Sequence, residues 1–285
     1  MGNGWHEWPL MVFTVLGQCV VGAFIVLAIA LLSRRSAEET RRIHLAMFFL
    51  WVLMAVAFIA SVLHLGSPLR AFNSLNRLGA LPLSNEIGSG SLFFALGGIY
   101  WLLAMINKMP RALGNIWLIV TMLAGIGFVY AMCRVYEIDT VPTWDNAYTF
   151  FHFGLTVLIG GPVLGYLLLR GADVRGCSLR LLPVISLAAL IVSMAVVVMQ
   201  SISLAGINSS VQAASALIPG YGVLSAGRLV LVVLGLGCWF CPLIMRKRPA
   251  VASMILAFVL VFCGELIGRA IFYGLHMTVG MAVSG

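Results

Sequence analysis

Apolar residues run along this chain in long blocks, separated by short polar segments at near-regular intervals. Eight blocks reach the roughly 20 residues needed to cross the hydrocarbon core of a bilayer. They cover 10–32, 45–65, 86–106, 116–135, 149–169, 181–202, 229–245 and 251–275. The pattern predicts an all-α, polytopic membrane protein: one integral domain, a bundle of eight transmembrane helices. No fixed-period repeat is visible, and no connection is long enough for a soluble domain. The start, MGNGWHEWPL, lacks a basic segment, and the first apolar block is too long for a signal-peptide core, so no cleavable signal is expected.

Turn residues sharpen one junction. Gly66 and Pro68 stop the second block, because proline has no N–H and disfavours helix before it. His64 then sits in a last helical turn. Ser84 and Asn85 are good N-cap types, which predicts that Glu86 lies in the first turn of the third span. There the helix dipole favours a carboxylate. Glu86, Gly90, Phe93/Phe94 and Gly97 share a face on which glycines permit close approach.

Charge orients the bundle. Twelve of the 17 Lys and Arg fall in the connections after spans 1, 3, 5 and 7, and five on the other side. The positive-inside rule then puts both termini on the periplasmic side. The acids lean the other way: Glu7, Glu86, Glu137, Asp139, Asp145 and Glu265 lie toward the outside, as do His6, His64, His152 and His276.

The chain is 62% hydrophobic and 9% charged, with mean hydropathy +1.08, which excludes a soluble globular domain. The net charge of +8 is dispersed in short clusters, so no nucleic-acid partner is implied. The six cysteines lie mostly in apolar runs, as small hydrophobes. Cys238 and Cys241 have C-x-x-C spacing, but without a second pair this reads as packing. No iron–sulfur signature is present, so any cluster belongs to a partner.

The last span, in CGELIGRAIFYGLH, sets Glu265 and Arg269 at i, i+4, with Phe272 and His276 on the same face. Glu265 lies about 21 Å from the inner end of its helix. An acid at that depth needs a partner, and Arg269 is the expected one. An imidazole, carboxylates and arginines at one membrane interface suit quinol oxidation. The quinol enters from lipid, loses two electrons and gives two protons to groups such as His64 and Glu86. Each residue also has a plain reading: a solvated helix end for His64, a first-turn acid for Glu86 and a structural ion pair for Glu265 and Arg269. Trp5, Trp8 and Trp144 read as interface anchors.

Long stretches of the chain resemble one family. GNGWHEWPLMVFTVLGQC, FIASVLHLGSPLRAFNSLNRLG, LSNEIGSGS, IDTVPTW and GELIGRAIFYGLHMTVGMAV are similar to the DmsC/YnfH type of membrane anchor subunit of anaerobic dimethyl sulfoxide reductase. The resemblance implies eight membrane helices with periplasmic termini, in the bacterial inner membrane. It implies docking to an iron–sulfur subunit, which in turn binds a molybdopterin catalytic subunit. It also implies menaquinol as substrate, with no cofactor bound by this chain. His64 of HLGSP and Glu86 of SNE match the family's quinol site, and Arg70 joins them. The final acceptor (dimethyl sulfoxide, another S- or N-oxide, selenate) belongs to the catalytic subunit. The loops Pro68–Asn85 and Tyr136–Tyr148 are expected to form the docking surface, the second with an acidic tip.

Three rivals stay open on sequence. A haem b subunit needs two facing axial ligands, for which His64 and His276 are the best pair. A proton-coupled transporter would use Pro162 and the midspan Gln200. A simple tether would share the fold and lack the site.

Overall fold

A computed structural model describes residues 3–33, 35–64, 76–174, 181–207 and 213–278. Every regular element among them is helical. Eight helices are long and apolar enough to cross a membrane: α1 Trp8–Leu32, α2 Ala37–His64, α3 Pro82–Met105, α4 Arg111–Arg134, α5 Ala147–Gly171, α6 Leu181–Ala205, α7 Tyr221–Ile244 and α8 Val251–Gly274. A short 3-10 turn, Asn3–Glu7, leads into α1.

Several helices start earlier than hydropathy suggests. α2 begins at Ala37, where Ser36 Oγ accepts from the Glu39 N–H at 3.1 Å and Glu38 and Glu39 fill the first turn, as expected of a capping sequence. α3 begins at Pro82, with extended Leu81 before it. Proline presets the helical φ at such a position. Asn85 is therefore not a cap; its Oδ1 accepts the Gly79 N–H at 2.6 Å instead. Glu86 consequently lies one turn deeper than its expected first-turn place.

Lipid offers no hydrophobic drive for one helix to leave it for another, so close backbone approach holds such bundles. α1 is the axle, packing against α2, α4, α5 and α8. Where α1 and α5 cross, a Cβ on Gly22 would stand 2.7 Å from Gly161 Cα, and one on Gly161 would stand 2.5 Å from Gly22 Cα. Only glycine fits at both positions. Around the crossing, the rings of Phe24, Trp51 and Phe93 meet at centroid distances of 5.6–5.7 Å.

Two prolines inside spans are met by serines from neighbouring helices. Pro162 in α5 has no N–H for the carbonyl of Leu158. Ser186 Oγ of α6 donates to that carbonyl at 3.3 Å and to that of Ile159 at 3.1 Å. Pro242 in α7 likewise orphans the carbonyl of Cys238, and Ser253 Oγ of α8 donates to it at 2.9 Å. With no water in the hydrocarbon, such donors make an internal proline tolerable.

The arginine-rich end is tied by one acid. Asp173 lies 3.7 Å from Arg170, 3.7 Å from Arg248 and 3.9 Å from Arg42. It thereby links the ends of α2 and α5 to the α7–α8 turn.

Candidate functional site

The opposite end of the bundle, where α1 begins and α8 ends, gathers the buried polar side chains. Glu86 of α3 is 2% exposed. Its Oε1 is buried with no hydrogen-bond partner, and an unpartnered buried carboxylate oxygen is costly enough to need a reason. Toward the far end of α3, the face it heads is closed by protein rings. Phe128 lies over Gly90, where a Cβ would come within 2.6 Å of the ring, and Trp51 lies over Gly97.

The same end of the bundle holds a tyrosine pair. Tyr136, just past α4, and Tyr273, near the end of α8, share a hydroxyl–hydroxyl hydrogen bond of 2.7 Å. Burial pushes the Tyr136 hydroxyl well above its ordinary pKa, and Tyr273 and Glu86 add to the rise.

Arg269 is 3% exposed. Its Nη2 donates to Gln18 Oε1 of α1 at 2.7 Å, and its guanidinium carbon lies 3.6 Å from the centre of the Phe153 ring. Such stacking over an aromatic face partly replaces lost hydration. Nε and Nη1 remain buried with no hydrogen-bond partner. Thus an unpartnered acceptor on Glu86 and two unpartnered donors on Arg269 lie buried at the end of the bundle that holds the tyrosine pair.

The expected Glu265–Arg269 pairing is replaced by another. Glu265, 3% exposed, bonds Arg228 of α7: Nη2 lies 3.2 Å from Oε1 and 3.3 Å from Oε2. Thr156 Oγ1 of α5 donates to Oε2 at 2.7 Å. The cause is local. Gly268 leaves a gap on α8 through which the Arg228 side chain passes, with Nε only 2.7 Å from where a Cβ would stand. Hydropathy alone places Arg228 in a connection, because the apolar block begins at Leu229. α7 in fact starts at Tyr221, and Arg228 is 5% exposed. The glycine one turn from an intramembrane acid is the available signal.

Beside that pair, His152 Nε2 meets Gln200 Oε1 at 2.7 Å. Both lie next to a cavity of about 10 Å³ that Arg228 and Ser225 also line, room for about one water. Gln200 is thus committed to a histidine, and Pro162 to its serine.

Arg70 falls outside the described residues, as do the side chain of His64 and residues 68–75 of the Pro68–Asn85 loop; α2 ends at His64. The second loop is well packed. Trp144, expected as a lipid-interface anchor, instead donates from Nε1 to the Phe272 carbonyl at 2.7 Å and stacks on Phe272 at 5.5 Å. The His276 ring lies 4.6 Å from Trp144. Trp5 and Trp8 are exposed, as an interface belt requires. Cys238 and Cys241 are free, and no metal-holding group of His, Cys, Asp and Glu occurs among the described residues.

Comparison with known proteins agrees along the full length. A family model described as "DMSO reductase anchor subunit (DmsC)" matches residues 1–275. The sequence is 59% identical to the YnfH chain and 60% identical to the C chain of anaerobic dimethyl sulfoxide reductase, both of Escherichia coli (strain K12). It is 43% identical to the corresponding subunit of Haemophilus influenzae. Each alignment covers all of both proteins.

Proposed function

The chain belongs to the DmsC family of DMSO reductase anchor subunits, multi-pass proteins of the inner membrane, and we propose that it binds and oxidises menaquinol. The reading puts oxidation at the end of the bundle that carries both termini, on the periplasmic side. The electrons pass to an iron–sulfur partner subunit and from there to a molybdopterin catalytic subunit.

One observation carries the proposal: Glu86 is buried five residues into a membrane helix with an oxygen that bonds nothing. A quinol hydroxyl supplies the missing donor. Oxidation to quinone releases two protons and two electrons, and Glu86 accepts one of the protons. His64, one connection away, is proposed as the second acceptor, because imidazole is the side chain whose ordinary pKa lies nearest neutrality. Arg70 is proposed to bind the ring from the same connection. Arg269, one turn before Tyr273 on α8, is proposed to hold positive charge at the same end of the bundle. Glu265 has both oxygens engaged by Arg228 and Thr156, so it contributes by fixing α5, α7 and α8 around the site. On this reading the electrons leave the quinol directly for the partner.

The test is binding of a fluorescent quinol analogue to the purified complex. One saturable site is expected, weakened about tenfold by Glu86→Gln, the loss of one charge-assisted hydrogen bond. His64→Ala should weaken it similarly. Unchanged affinity in both variants would contradict the proposal.

A further inference from the structure

The arginine-rich end contains a groove that quinol oxidation does not use. It lies between the end of α1, the start of α2, the end of α3 and the start of α4, and holds about 620 Å³. Arg35, Arg41 and Arg111 line it from three separate segments, and no Asp or Glu does so. Arg35 is oriented by a bond from Nε to the Ala30 carbonyl at 3.0 Å. His44 and Tyr100 also line the groove, with His44 Nε2 and the tyrosine hydroxyl 3.2 Å apart. The Trp101 indole donates to the His44 carbonyl at 2.8 Å and fixes that turn of α2. α4 opens at the rim without a side-chain cap, which adds the positive end of its dipole.

We propose that this groove binds the headgroup of an anionic phospholipid, with the phosphodiester held by Arg41 and Arg111. The Arg41 and Arg111 guanidiniums, with no carboxylate among the described lining residues, select an anion, and a guanidinium fork matches a phosphate geometrically. The groove sits at the ends of membrane spans, at the depth of lipid phosphates, where basic pockets between helices meet such headgroups. Its walls also carry apolar surface. Leu31, Met109 and Leu118 line its lower part, and Leu45, Leu113 and Ile116 stand exposed on the adjoining faces of α2 and α4. A lipid therefore satisfies both halves of the site, headgroup above and acyl chains beside it. A free phosphate would satisfy only one.

The test uses the purified full chain in neutral detergent, titrated with phosphatidylglycerol, phosphatidylethanolamine or inorganic phosphate and read by native mass spectrometry and melting temperature. Saturable binding of phosphatidylglycerol is expected, at least about tenfold tighter than phosphatidylethanolamine. Arg41→Gln with Arg111→Gln should remove that preference, whereas Arg77→Gln, at the other end of the bundle, should keep it. Equal binding of the two lipids, an unchanged preference in the double variant or an equal loss with Arg77→Gln would overturn the proposal. So would inorganic phosphate that binds as tightly and displaces the lipid. If the glutamine variant does not fold, the wild-type preference and the Arg41→Lys, Arg111→Lys pair decide. Retained charge should retain most of the preference, and its complete loss in a folded lysine variant would overturn the assignment.

Discussion

Arg228 Nη2 lies 3.2 Å from Glu265 Oε1, while Arg269, one turn along the helix of Glu265, bonds Gln18. The ion pair therefore joins two helices. Removing one partner leaves the other charge buried and alone, which costs about 3–5 kcal/mol. Arg228→Ala and Glu265→Ala are each expected to lower the melting temperature and yield of the complex sharply. The double substitution should cost clearly less than the sum of the two. A cycle on Glu265 and Arg269 should show far weaker coupling, and stronger coupling there would contradict the pairing described.

The serine–proline pairs give a second cycle. Ser186→Ala should cost about 1 kcal/mol, the net worth of an ordinary hydrogen bond. In a Pro162→Ala background the same change should cost close to nothing, because the substituted alanine supplies its own N–H to the Leu158 carbonyl. Ser253 and Pro242 should behave alike. Equal costs in both backgrounds would show that the serines do not serve the freed carbonyls.

At the crossing of α1 and α5, Gly161→Ala forces a Cβ against Gly22. Overpacking of this kind costs about 1–3 kcal/mol. Gly161→Val should abolish accumulation of the folded protein in membranes. By contrast, Gly98→Ala, which meets nothing within 4 Å, should be tolerated. Immunodetection of membrane fractions reads both.

Alkaline pH tests the tyrosine pair. Burial raises the Tyr136 pKa above its ordinary value of 10.0. Folding then favours the protonated hydroxyl. This contribution is fully present below the unfolded pKa of about 10 and is lost as pH rises from there toward the folded value. Tyr136's contribution should be constant between about pH 7 and 9 and fall above about pH 10. Tyr136→Phe should remove Tyr136's share of that fall while costing about 1 kcal/mol at neutral pH from the lost bond to Tyr273.

The sequence pattern yields eight helices in the right order, because membrane spans are set by length and hydrophobicity, both read locally. It misplaces helix starts where the first turns are polar: Ser36 to Arg42 in α2 and Tyr221 to Arg228 in α7. Composition cannot distinguish a charged connection from a charged turn whose partner sits on another helix. Arg228 shows the consequence. Read as part of a connection, it leaves Glu265 with only Arg269 as a local partner. Glu86 stands out as an acid opening an apolar run, but its depth in the helix depends on α3 starting at Pro82. Tyr136 and Tyr273, which lie 137 positions apart, carry no sequence signal linking them. Ser186 and Ser253 likewise give no hint of their prolines, since a carbonyl freed on one helix is satisfied from another.

The most direct measurement compares two electron donors in membranes that contain the whole complex. On the proposed function menaquinol enters through the anchor, whereas a reduced viologen dye would feed the partner subunits directly. Glu86→Gln should cut menaquinol-driven reduction of the terminal acceptor by at least about a hundredfold, the lower end of the range for loss of a proton acceptor, and leave viologen-driven reduction unchanged. Full menaquinol-driven rates in that variant would mean that Glu86 takes no proton and that quinol oxidation happens elsewhere.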